Sequence, residues 1–264
     1  MSRKSAKQIV IEAFSALSGD YDVEKVKELF SEDIIQHGNL PTGRAAVIAS
    51  IPKFKEAGVT RNTHRILEDG DIVVYHSTNS NGKAVFGGID SIAIFNVWRV
   101  DKEGKVAEHW VNLQPILKGP NPSGRTMTDG TTEISDLDKT ATNKEIMTNF
   151  LETIVIPGHW DKIGTVLSPE KYIQHNPNVG DGVETLQAYM KKVAEEGNGF
   201  IYEKLHRVVG EGAFVLTMAE GKQGAVQTAF FDLWRLEDGM VVEHWDVVQA
   251  IPPAEQQKHK NGKF

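Results

Sequence analysis

The chain contains no cysteine. Disulfides, thiolate nucleophiles and cysteine-ligated zinc are therefore excluded. It also lacks a basic excess: 29 Lys and Arg stand against 36 Asp and Glu, a net charge of −7. A protein that tracks nucleic-acid phosphates needs a basic face, so no nucleic-acid partner is expected. No apolar run approaches the length of a membrane span. The N-terminal "MSRKSAKQIVIEAFSALSG" has its apolar residues interrupted by Glu12 and Ser15 at helical spacing, which reads as an amphipathic helix rather than a signal peptide. A cytoplasmic protein without a membrane partner is the expectation. The 9 histidines contain no HxH or HExxH spacing, so no metal is expected. Phosphate-cradling glycine loops and a G-x-S-x-G elbow are missing too, so no cofactor is expected.

What the chain does carry is itself, twice. "IIQHGNLPTG" at 34–43 pairs with "YIQHNPNVGDG" at 172–182. "THRILEDGDIVV" at 63–74 pairs with "LHRVVGEGAFVL" at 205–216. "FNVWRVDKEGKVAEHW" at 95–110 pairs with "FDLWRLEDGMVVEHW" at 231–245. The order is kept, so this is a domain duplication. Its 264 residues also suit two domains. The reading divides the chain into a first copy at 1–116, a linker at 117–141, a second copy at 142–252 and a polar tail at 253–264. The linker rests on its Gly, Pro, Ser, Thr and Asp content. The tail is read as loosely held.

Each copy opens with helical stretches at roughly 5–17, 22–30 and 44–57, matched by 142–155, 159–167 and 182–196. A short strand ending in "QH" precedes the third helix. The remainder is strand-like, with hairpin turns at "DKEG" and "EDG". Helices first and antiparallel hairpins after give an α+β domain with helices on one face of a curved sheet.

This element order, with "YIQHNP", "FDLWRLEDG" and "VVEHWDVVQ", resembles the SnoaL-like proteins of the nuclear transport factor 2-like superfamily. The second copy shows the closer likeness. The resemblance implies two tandem cone-shaped α+β barrels, each open at one end around an apolar pocket with few polar groups. It implies a small-molecule ligand and cofactor-independent acid–base chemistry on a carbonyl compound: aldol-type cyclisation, isomerisation or dehydration. The alternative is a non-catalytic small-ligand-binding or assembly protein of the same fold. It also implies that the halves pair as an intrachain pseudodimer, with a homo-oligomer as a further option.

The candidate catalytic residues are His175, Asp232, Asp246 and His244. His175 ends the "YIQH" strand, and an imidazole there can take a proton α to a carbonyl. Asp232 either orients His175 or acts as the base itself, with a pKa raised by burial. Alternation puts His244 and Asp246 on one face of the last strand and Trp245 and Gln249 on the other. The family comparison favours Trp245 and Gln249 inside. Tyr172, Asn176, Trp245 and Gln249 are the candidate substrate contacts. The bland reading of each is structural: His175 fixing a turn, His244 and Asp246 satisfying buried partners, Trp245 packing a core. The first copy has Asn96 for Asp232, Val111 for Asp246 and Gly38 for Asn176, while His37 matches His175. It therefore reads as the degenerate copy, and the second as the working one.

Overall fold

The computed structural model describes residues 4–264. They form two compact units, one comprising residues up to Pro115 together with Pro252–Phe264, the other Ile116–Ile251.

In the first unit, α1 (Ala6–Ser18), α2 (Val23–Leu29), β1 (Phe30–Gln36) and α3 (Arg44–Ala57) precede β2 (Thr60–Asp69), β3 (Ile72–Ser80), β4 (Ile92–Val100) and β5 (Val106–Pro115). Ser5 caps α1 reciprocally with Gln8, the capping box that frees neither end of the first turn. The sheet order is β1-β5-β4-β3-β2, with β1 parallel to β5 and every other pair antiparallel. The apolar face of α1 (Ile9, Val10, Ala13, Phe14) packs with Val73, Tyr75 and Trp98 of the sheet.

The second unit repeats this order. α4 (Thr140–Phe150) continues through a wider helical turn at Leu151–Val155, and a tight helical turn at Trp160–Thr165 stands where an α-helix was expected at 159–167. β6 (Ile173–Gln174) and α5 (Val183–Glu195) follow, then β7 (Phe200–Glu211), β8 (Phe214–Gln223), β9 (Val226–Glu237) and β10 (Met240–Ala250). The sheet order is β6-β10-β9-β8-β7, the same pattern strand for strand. Asp238 and Gly239 both take positive φ in the β9–β10 turn, at 47° and 79°. That conformation matches the twist of the flanking strands and explains "EDG" as a hairpin signal. Met147, Phe150 and Leu151 bury against Val215, Trp234 and Leu236, which fixes the helix-facing side of the sheet.

The segment read as a linker lies along the second unit. Asn121 Nδ2 donates to the carbonyls of Gln174 (2.7 Å) and Val179 (2.8 Å). Its Oδ1 accepts from the backbone of Ser123 and Arg125, and Arg125 pairs with Asp181 at 3.1 Å. The tail does the same for the first unit: Asn261 Nδ2 donates to the Gln36 carbonyl at 3.0 Å. Gln36 and Gln174 are matched positions, so Asn121 and Asn261 are equivalent clasps on two polar arms.

Candidate active site

Trp234 decides which face of the β9–β10 ladder is inside. It meets Phe150 of α4 edge-on at 5.7 Å and stacks on His244 at 3.9 Å. Asp232 shares its parity, and Asp246 is the cross-strand partner of Asp232. His244, Asp232 and Asp246 thus converge beneath the helices, with relative exposures of 6%, 0% and 7%. This reverses the expected facing. Trp245 and Gln249 lie on the opposite side, because that side meets the 116–135 arm rather than the helices. Trp245 Nε1 donates to the Asp129 carbonyl at 2.8 Å.

The inner cluster has a fixed proton logic. Gln174 accepts at Oε1 from the backbone N–H of Asn176 (2.8 Å) and donates from Nε2 to the Tyr172 hydroxyl (2.9 Å). Its orientation is therefore set by a donor that cannot rotate. The same Oε1 lies 3.1 Å from His244 Nδ1, so Nδ1 carries a proton. The other nitrogen, Nε2, faces Asp232 Oδ1 at 3.2 Å. A hydrogen bond there needs one proton, held by the imidazole or by the carboxyl. Asp232 also accepts from the Tyr202 hydroxyl at 3.2 Å, while Asn176 Nδ2 donates to Asp246 Oδ2 at 2.6 Å. The other Asp246 oxygen has no partner. Burial, and then the charge of Asp232, raise the Asp246 carboxyl above its ordinary range, against the opposing charge of His244 and the Asn176 hydrogen bond. Burial and the two aspartates also raise both Tyr172 and Tyr202, so their hydroxyls remain donors.

Asp232, His244 and Asp246 each offer a ligand atom, all within 4.8 Å of one another. One imidazole and two carboxylates suit a divalent cation as well as a proton. Cation and proton would compete for the same lone pairs.

His175 is not part of this cluster. It stacks on Trp245 on the other face, with ring centroids 4.7 Å apart. Its Nδ1 lies 2.9 Å from the Thr126 carbonyl and 2.8 Å from Asp129, and its Nε2 lies 2.9 Å from Glu243 Oε1. Glu243 Oε2 accepts from Arg235 at 2.7 Å. Every partner of His175 is an acceptor, and both ring nitrogens are occupied by protein groups, so neither faces space that a substrate could take. Asp232 bonds His244 and Tyr202 instead of His175. Tyr202, absent from the candidate list, sits where irregular register on either side of Lys204 breaks the alternation that would have placed it.

The first unit keeps the scaffold and changes the proton carriers. His37 stacks on Trp110 at 5.0 Å and binds Glu108 at 2.9 Å, and Glu108 holds Arg99 at 2.7 Å. This outer cluster is the counterpart of His175, Trp245, Glu243 and Arg235. Inside, His109 stacks on Trp98 at 3.6 Å between Gln36 (2.9 Å) and Asn96 (3.0 Å). Burial, then the charges of His37 and Lys263, pull His109 to about 3, so it is neutral. Val111 fills the space that Asn176 and Asp246 share in the second unit. A Cβ on Gly38 would collide with the Val111 side chain, so the two replacements are coupled.

The fold and site define a pair of α+β cones, one of which encloses a buried acid–imidazole cluster. Residues 11–109 match the SnoaL-like domain. That match lies within the first unit, and the second unit repeats the first unit's strand order. The match falls on the first copy, not on the second, whose motifs read as the closer likeness. No curated protein matches the chain. Among solved structures, TsrD from Streptomyces laurentii is similar at 16% identity over 43% of this chain and 92% of its own, with a TM-score of 0.35. The epoxide hydrolase/cyclase-like enzyme SalBIII, of pyran ring formation in polyether salinomycin, is 22% identical over 41% and 90%, with a TM-score of 0.36. A nuclear transport factor 2-like protein of unknown function from Cytophaga hutchinsonii is 17% identical over 43% and 94%, with a TM-score of 0.34. No helix among the described residues is long and apolar enough to cross a membrane.

Proposed function

We propose that the second unit catalyses proton transfer on a small carbonyl compound, in a cyclisation, isomerisation or dehydration, and that its working groups are Asp232, His244 and Asp246. One observation carries this reading: Gln174 pins the His244 tautomer, so that Nε2 and Asp232 share a single proton in a buried site. A base in such a site gains driving force when substrate displaces its hydrogen-bond partner. Asp246, with a free oxygen and a raised carboxyl pKa, is the second proton carrier. The hydroxyls of Tyr202 and Tyr172 supply donors for a developing enolate oxygen, the group such a reaction must stabilise. Asn176 orients Asp246 rather than contacting substrate. His175, Trp245 and Gln249 have supporting places on the other face. The groove beside Tyr202, lined by Trp160, Gln187, Met190 and Phe200, is the proposed route for a small ligand.

The test is α-hydrogen exchange in D2O with a panel of small ketones and β-diketones, followed by proton NMR. Wild-type protein accelerates exchange of at least one of them, and Asp232→Asn removes the acceleration. Wild-type protein that binds a carbonyl compound but leaves its α-hydrogens unexchanged supports the binding-protein alternative instead.

A further inference from the structure

The cone of the first unit contains a cation without a counter-ion. Arg61 enters at the start of β2 and lies over the ring of Phe14, its guanidinium carbon 3.5 Å from the centroid. Among the described residues no carboxylate pairs with it, and its buried Nε has no hydrogen-bond partner. Burial pulls its pKa down to about 10, opposed by the nearby Tyr75 and Tyr21, which still leaves it charged at neutral pH. The residue is half-buried, and taking a charge even partly out of water is costly unless something compensates it.

The neighbours of Arg61 are donors and rings, not acids. Phe14 carries Tyr75 edge-on at 5.0 Å and Trp98 at 5.3 Å, and Trp98 stacks on His109. An aromatic floor thus runs from Arg61 to the inner polar group. Burial raises Tyr75 to about 12, so its hydroxyl keeps its proton. His109, being neutral, has one N–H for two amide neighbours. Either Gln36 or Asn96 must therefore turn its NH2 to the ring, and the other amide is left with an unpartnered NH2. Gln36 is 1% exposed and Asn96 5%, so this donor is buried in either assignment. Asn79, opposite Arg61 in the β2–β3 ladder, leaves its amide oxygen unpartnered, and rotating that amide offers another NH2.

The ladder position of Arg61, opposite Asn79, corresponds in the second unit to Tyr202, opposite Gly221. The acids Asp232 and Asp246 correspond to Asn96 and Val111. Every carboxylate of one inner site is a neutral residue in the other, and a tyrosine has become an arginine. Loss of function alone would remove acids without installing a half-buried cation over the Phe14 ring.

We infer that the cone of the first unit binds a small monocarboxylate with a flat apolar body, its carboxylate on Arg61 and its ring on the aromatic floor. Arg61 offers the forked donors that a carboxylate fills. One guanidinium and one amide match a single charge better than a phosphate's two, in a chain of net charge −7. This assignment is independent of the chemistry of the second unit.

The probe is benzoate, titrated into the full chain by calorimetry, with inorganic phosphate as the comparison anion. Wild-type protein and Asp232→Asn bind benzoate alike, and Arg61→Gln binds about 10- to 100-fold more weakly, the range for a lost charge-assisted hydrogen bond. Arg61→Lys falls between them, because it keeps the charge and loses the fork. The Arg61 Nε–H resonance in nitrogen-15 NMR of the wild type shifts on adding benzoate, which needs no variant to fold. No benzoate binding by the wild type, equal binding by Arg61→Gln, an unmoved Nε–H resonance or tighter binding of phosphate would each overturn the assignment.

Discussion

Replacing Glu243 by Gln tests whether the outer histidine cluster is structural. Burial alone would raise the Glu243 carboxyl, but hydrogen bonds from His175, Arg235 and Thr131 hold it down at about 2, against an ordinary 4.5. At about 1.4 kcal/mol per tenfold, that gap corresponds to roughly 3 kcal/mol of stability. The side chain is only 2% exposed, so little is lost to solvent screening. The sign follows from a depressed carboxyl: the stabilisation is complete above about 4.5 and disappears as pH falls through about 2. Glu243→Gln therefore costs about 3 kcal/mol at pH 7 and little near pH 2, where about half of the wild-type residue is already protonated and most of the stabilisation is gone. Urea unfolding, read by hydrogen-exchange mass spectrometry on β9 and β10 peptides, scores the second unit alone. A penalty that is the same at both pH values, or that stays below about 0.5 kcal/mol at pH 7, refutes the reasoning. Glu108→Gln in the first unit should cost less, since that side chain is 17% exposed.

Gly38→Ala should destabilise by about 1–3 kcal/mol through overpacking against Val111, and Gly38→Ala with Val111→Ala should recover part of that loss in a double-mutant cycle of urea midpoints. Asn121→Ala orphans the Gln174 and Val179 carbonyls and should cost about 1–3 kcal/mol, with faster proteolysis within 117–135; unchanged proteolysis would contradict the clasp. Exhaustive dialysis against EDTA should leave α-hydrogen exchange unchanged; activity that is lost and then restored by a divalent cation would assign Asp232, His244 and Asp246 to a metal instead.

The duplication and the element order were legible because they rest on long matched segments and hairpin chemistry. The facing of β10 was not. Strand alternation separates His244 and Asp246 from Trp245 and Gln249 but carries no sign, and only packing against α4 supplies one. Trp234 held the clue, since it shares parity with Asp232 and is an apolar body that a helix layer would cover. Tyr202 was hidden by the register irregularities flanking Lys204, which defeat counting by two. His175 attracted attention as a histidine at a strand end, yet the Glu243 and Arg235 that occupy it are distant in sequence. The arms read as linker and tail because polar, Gly-rich composition is shared by loose segments and by segments that bind through amide side chains. The recurring Asn121 and Asn261, each following the last strand of its copy, were the available signal.

The most direct measurement compares two histidines in one assay. With a ketone whose α-hydrogens the wild-type protein exchanges, His244→Ala should lower the exchange rate by at least ~10²-fold, the low end for a general acid or base. His175→Ala, once shown to be folded at the assay temperature, should change the rate by no more than a few fold, because its ring touches Trp245, Glu243 and the 116–135 arm rather than the inner cluster. A rate that collapses in the His175 variant and survives in the His244 variant would contradict the placement of the chemistry under α4.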